Sequence, residues 1–138
     1  MKAARRVALA GLAAAALAAT GGGADAHHSG AMFDGAKTVS IDGTVQTFQF
    51  TNPHSWLNVV VVDAAGNQAI WAFEAEGPST LLRSGIRKST FMPGDKVTVK
   101  CHPMRDGRPA GSMLSVRKAD GTVFSPHLDP VTPPANPS

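Results

Sequence analysis

Between Thr38 and Val62 the chain carries two strand-like runs joined by a short polar break, and this pair limits the fold more than any other feature. In the first run Val39, Ile41, Gly43, Val45 and Thr47, extending to Gln49, share one face of a period-two pattern. In the second, Leu57, Val59 and Val61 alternate with Asn58, Val60 and Val62, so both faces are largely apolar. Such alternation marks a strand, and a strand apolar on both sides belongs inside a sheet rather than at its edge. The break is Asn52-Pro53-His54-Ser55-Trp56. Proline fixes φ and asparagine caps backbone groups, so strands over about 39–50 and 56–63 are expected to pair antiparallel through this corner. Gly43 is expected to mark a bulge or a sharp bend, which a long strand needs to curl around a small barrel.

The rest of the chain continues in the same style. Ala64-Ala65-Gly66-Asn67 reads as a hairpin connection, followed by a strand over 68–74. The period then changes at Gly77-Pro78, and a short helix is expected over 79–84, with Leu81 and Leu82 plugging one end of a barrel. A Pro93-Gly94 turn opens a strand over 96–101, with Val97, Val99 and Cys101 on one face. Residues 102–111 form a turn-rich loop, and a strand over 112–118 packs Met113 and Leu114 inward. Asp120-Gly121 turns into a last short strand over 122–124. The expected fold is all-β: a small five- to six-stranded antiparallel barrel of OB-like (oligonucleotide/oligosaccharide-binding) type with one short helix. A β-sandwich is the alternative. The name of that barrel says nothing about its ligand.

Residues 1–26 are expected to be a cleaved signal peptide. Lys2, Arg5 and Arg6 precede an apolar run from Val7 to Ala19, and the small residues Ala24-Asp25-Ala26 supply a cleavage region. That run is shorter than the roughly 20 residues needed to cross a bilayer, so no stable membrane insertion is expected after cleavage. Cleavage after Ala26 makes His27 the first residue, and cleavage after Ala24 makes it Asp25. The expected location is periplasmic or secreted. The domain is then 27–125, with residues 27–37 as an arm docked by Met32 and Phe33, and 126–138 as a proline-rich disordered tail that adds no core. The formal charge of +3 falls to +1 once Lys2, Arg5, Arg6 and Asp25 are removed, so no nucleic-acid partner is implied. Cys101 is the single cysteine, so no intrachain disulfide is available, and it is expected to be buried and inert.

Several pieces of the chain go together as a set: Ala26-His27-His28-Ser29, the run from Gly43-Thr44-Val45 to Asn52-Pro53-His54-Ser55-Trp56, and Pro93-Gly94-Asp95-Lys96-Val97. Pro103-Met104-Arg105-Asp106-Gly107 and Gly111-Ser112 complete it. With these the chain resembles a family of small exported bacterial proteins known only as domain of unknown function 6152. The resemblance implies export and a compact β fold, and it brings no activity, ligand or catalytic residue.

Chemistry must therefore be read from the side chains. Five histidines are present, and His27, His28 and His54 are the candidate metal ligands. A terminal His27 offers its α-amine and a ring nitrogen to the same ion, a donor set suited to copper(II). His54 would join from its constrained corner, with Trp56 nearby; the plainer reading makes it a hydrogen-bonded corner residue. Cys101-His102-x-Met104 is a second cluster, which burial of Cys101 would dissolve, and His127 in the tail is expected to face solvent. No enzyme is expected. Glu74 and Glu76 share a strand face but lack an opposed partner, Ser29, Ser55 and Ser79 sit in no nucleophile context, and Cys101 and His102 point to opposite faces. The partner would be an envelope protein or a copper donor or acceptor. The competing class is a metal-free envelope adaptor or ligand-binding module using the face around Asn52–Trp56 and Trp71.

Overall fold

The structure, a computed structural model, describes residues 29–127. The elements are α1 (Ser29–Met32), β1 (Val39–Gln49), β2 (Ser55–Val62), β3 (Gln68–Ala75), α2 (Pro78–Arg83), β4 (Lys96–Pro103), β5 (Ala110–Lys118) and β6 (Val123–Phe124). The sheet order is β3-β2-β1-β4-β5-β6, and β3 also pairs with β5, which closes β1 to β5 into a barrel. Closure rules out the sandwich. The barrel is mixed, not wholly antiparallel as expected, because Ala72–Glu74 pair parallel with Ala110–Ser112. Strand directions cannot alternate all the way around a ring of odd number, so one junction has to be parallel.

β1 serves two neighbours. Val39–Thr44 pair with β4 and Thr44–Gln49 with β2, so the strand curls around the barrel. Its bulge lies between Val45 and Thr47, not at Gly43. The extra residue shifts the alternation by one. Thr47 and Gln49 therefore face out, against expectation, and Phe48 packs inward, edge-on to Phe91 with ring centroids 5.2 Å apart. Gly43 has a different task. A Cβ there would sit 2.5 Å from the Val60 carbonyl oxygen and also against the Val59 side chain, so glycine permits the close approach of β1 to β2.

The core gathers Val45, Leu57, Val59, Phe73, Val99 and Met113 from all five barrel strands. Leu81 is fully buried at the barrel end, whereas Leu82 is 50% exposed. Adjacent helical residues point about 100° apart, so the two leucines cannot both act as the plug. Ile86, just past the left-handed Gly85, takes the second place. Leu114 is skipped in the β4–β5 register, where Lys100 faces Ser115 and Cys101 faces Met113, and it is only half-buried. The arm holds the second correction to the expected elements, a helical turn at Ser29–Met32 beside the anticipated α2. It is fastened by Arg105, whose backbone N–H donates to the Met32 carbonyl at 2.9 Å. Phe33 is buried and bridges Met104, whereas Met32 is 41% exposed and docks nothing in. At the other end Pro126 is fully buried, so the packed domain continues slightly beyond the expected boundary, and residues 128–138 lie outside the described residues.

Cys101 is fully buried on the Val97/Val99 face, and burial pushes its thiol up to about 11. The thiolate is the reactive form, so only about one thiol in a thousand would be ionised at pH 8 even before access is considered. Labelling of native protein by a maleimide is accordingly expected to be at least a hundred times slower than of chain unfolded in urea. Rates within a factor of a few would overturn the burial.

Candidate functional site

The Asn52–Trp56 corner joins β1 to β2 through a cis Asn52–Pro53 bond. Ser55, fully buried, closes it: its Oγ lies 3.3 Å from both the backbone N–H and the carbonyl of Thr51. Asn52 was expected to do this capping; the hydroxyl of Ser55 does it instead. The corner is seated on the end of β3, where the Ser55 N–H donates to the Glu76 carbonyl at 3.2 Å. Gly77 makes room beneath it, since a Cβ there would meet the Pro53 carbonyl oxygen at 2.8 Å.

This seating sets His54 against Glu74. The His54 Nδ1 donates to Glu74 Oε1 at 2.7 Å, with the carboxylate side chain only 10% exposed. Burial pushes the Glu74 carboxyl above its ordinary range; the attraction of His54 opposes this and the charge of Glu76 adds to it. Beside this pair stands a second. His127 Nδ1 lies 3.7 Å from Glu76 Oε1, and its Nε2 is 3.2 Å from the Met113 carbonyl. A carbonyl can only accept, so Nε2 of His127 carries a hydrogen. The two pairs, with Ser112 and Met113, line a cavity of about 40 Å³, room for a water-sized occupant.

Hydrogen bonding fixes the chemistry of His54. With Nδ1–H held by a carboxylate, neutral imidazole keeps its lone pair on Nε2, the arrangement common in metal-ligating histidines. Yet among the described residues no group of three or more His, Cys, Asp or Glu side chains is placed to hold an ion. His27 and His28, the other expected ligands, lie outside the described residues.

The remaining candidates disperse. Cys101 points into the core, while His102 on the outer face places Nδ1 2.6 Å from the Lys37 carbonyl. Met104 bridges Phe33, so Cys101-His102-x-Met104 is no cluster. Trp71 stacks on Phe73 at 5.9 Å and packs against the core, so it forms no outward aromatic patch with Trp56.

A model of a family of unknown function, DUF6152, matches residues 13–114. The chain belongs to this family. No curated protein and no solved structure matches it. The DUF6152 match contains the corner, His54, Glu74 and Glu76, and ends before His127. Membership carries no activity with it.

Glu74, Glu76 and His127 are the site residues that sequence reasoning passed over. A signal for the first two was available. Counting back from Val62–Gln68 at the β2–β3 turn puts Trp56 opposite Glu74, and so brings His54 to the Glu74–Glu76 margin. His127 had no such marker, being separated from Glu76 in sequence by α2, β4, β5 and β6.

Proposed function

We propose that this DUF6152 chain is an exported, non-enzymatic barrel that binds copper(II), with His54 as its rigid ligand and the processed terminus supplying His27 and His28. The observation that carries the reading is the 2.7 Å contact of His54 Nδ1 with the buried Glu74 carboxylate. That contact orients the ring and raises its basicity as a ligand, at no further ordering cost when an ion arrives.

Reach supports the rest. Phe33 is anchored at Met104, whose N–H donates to Ala110, and Ala110 begins the β5 segment that pairs with β3. From Ala110 to Ser112, opposite Glu74, is about 7 Å along the strand, and each strand crossed adds roughly 5 Å. Of the residues separating His27 from Phe33, Ser29–Met32 form the α1 turn and cover only about 6 Å, so the amine and imidazole of His27 meet His54 once that turn opens, when the six residues span up to about 20 Å. An envelope copper donor or acceptor is the partner this chemistry would serve.

The test begins with intact mass of exported protein, with and without copper(II), which reports the terminus and the stoichiometry together. One ion on a chain starting at His27 is expected. Competitive copper(II) titration then compares wild type, a form with one extra leading residue, His27→Ala, His54→Ala and His102→Ala. The first three changes should each weaken binding at least tenfold, and His102→Ala should not, because its ring is tied to Lys37. Equal affinity across the set would discard the reading.

A further inference from the structure

A second surface lies away from the histidine corner. Phe48 and Phe91 floor a groove of about 550 Å³, Met92 and Pro93 form one wall, and Arg87 and Lys88 stand on the rim. Such a volume is that of a small-molecule site, typically about 300–1,000 Å³. Phe91 is fully buried beneath, whereas Met92 is 52% exposed.

The charges around this groove are one-sided. From Gly77 to Gly94 the chain has no acidic residue and three cations, Arg83, Arg87 and Lys88. Among the described residues none of the three is in an ion pair. The nearest acid in sequence, Asp95, is already engaged: it accepts from the Met92 N–H at 2.9 Å and pairs with Lys118 Nζ at 3.3 Å. An apolar trough with uncompensated cations at its rim matches a ligand that is apolar along its length and anionic at its head.

We infer that this groove binds a free single-chain anionic amphiphile of the fatty-carboxylate class, the chain lying on Phe48, Met92 and Pro93 and the carboxylate meeting Arg87 and Lys88. A concave site suits one chain rather than a bilayer surface. Among the described residues the helix nearest to it in sequence, α2, has six residues, too few for a long apolar face to lie in a membrane.

The probe is dodecanoate, below its micelle concentration, titrated into the full chain by calorimetry and followed by amide NMR shifts. Saturable binding is expected, with shifts centred on Thr47, Ser89 and Met92. Dodecyl maltoside, which has the same chain and no charge, should bind at least tenfold more weakly. Met92→Asp should abolish binding, and Arg87→Glu with Lys88→Glu should weaken it at least tenfold; all three positions are exposed, so the fold should survive. His54→Ala should leave dodecanoate binding unchanged, which separates this site from the copper site. Equal affinity for the charged and neutral chains, shifts elsewhere on the barrel, or binding only to phosphatidylglycerol vesicles would each overturn the inference.

Discussion

Gly43→Ala is expected to cost the barrel about 3 kcal/mol, the upper end of the usual cost of overpacking. Its new Cβ would stand 2.5 Å from the Val60 carbonyl oxygen, and backbone cannot rotate away as the tip of a long side chain can. Val59, which the methyl would also meet, is fully buried in the core, so any shift of β2 to make room disturbs packing on its inner face. For a domain of this size each kcal/mol lowers Tm by about 4–8 °C, so a fall of roughly 12–24 °C should be seen. Gly35→Ala is the control, since nothing lies within 4 Å of a Cβ there. Urea and thermal melts of the three proteins settle the point. If Gly43→Ala melted together with Gly35→Ala, the close approach of β1 to β2 would not be what selects glycine.

Gly43 also shows how far the fold was legible from the chain. Its presence inside a long alternating run was a correct signal that β1 must do something unusual, but two devices were merged into one. The bulge needs only an unpaired residue and can sit at Gln46, which carries no compositional mark; the close approach needs an absent Cβ and must sit at glycine. Alternation before the break therefore reads correctly up to Val45 and is displaced by one position after it, which exchanges Thr47 for Phe48 in the core. The β2–β3 hairpin has no such irregularity, and its strands read almost to the residue. Local pattern likewise identified α2 from Pro78 and Gly85. It could not decide which leucine faces the barrel, because that depends on the angle at which the helix approaches.

The parallel β3–β5 junction and the arm have a different origin. Both are contacts between segments distant in sequence, and neither leaves a period of its own. The helical turn of Ser29–Met32 contains a glycine and no amphipathic repeat; the Arg105 bonds and the Phe33–Met104 bridge hold that end of the arm. The site follows the same division. His54 stood out because its corner is local, whereas Glu74 and Glu76 looked like ordinary carboxylates at a sheet margin until the hairpin register set them beside it. His127 reaches Glu76 only because β6 turns the chain back along β5.

If Glu74 acts on the ion through His54, Glu74→Gln should lower copper(II) affinity roughly tenfold without unfolding the barrel, at the lower end of the 10–100-fold typical for residues behind a ligand. Glutamine keeps the shape and an oxygen able to accept the Nδ1 hydrogen, so the tautomer survives while the charge that raises ligand basicity is lost. Glu74→Leu removes both and should approach a hundredfold. Neither change should weaken the fold greatly, because the carboxylate is held in a place that disfavours its charge, as the upward push on its pKa by burial indicates. Nitrogen NMR of the His54 ring gives a readout that affinity alone cannot. The hydrogen should remain on Nδ1 in Glu74→Gln and be shared between the two nitrogens in Glu74→Leu. Graded affinity loss that follows this pattern would mark Glu74 as the residue that positions the ligand. Unchanged affinity in both variants, with His54→Ala still losing copper, would reduce Glu74 to a packing partner of the corner.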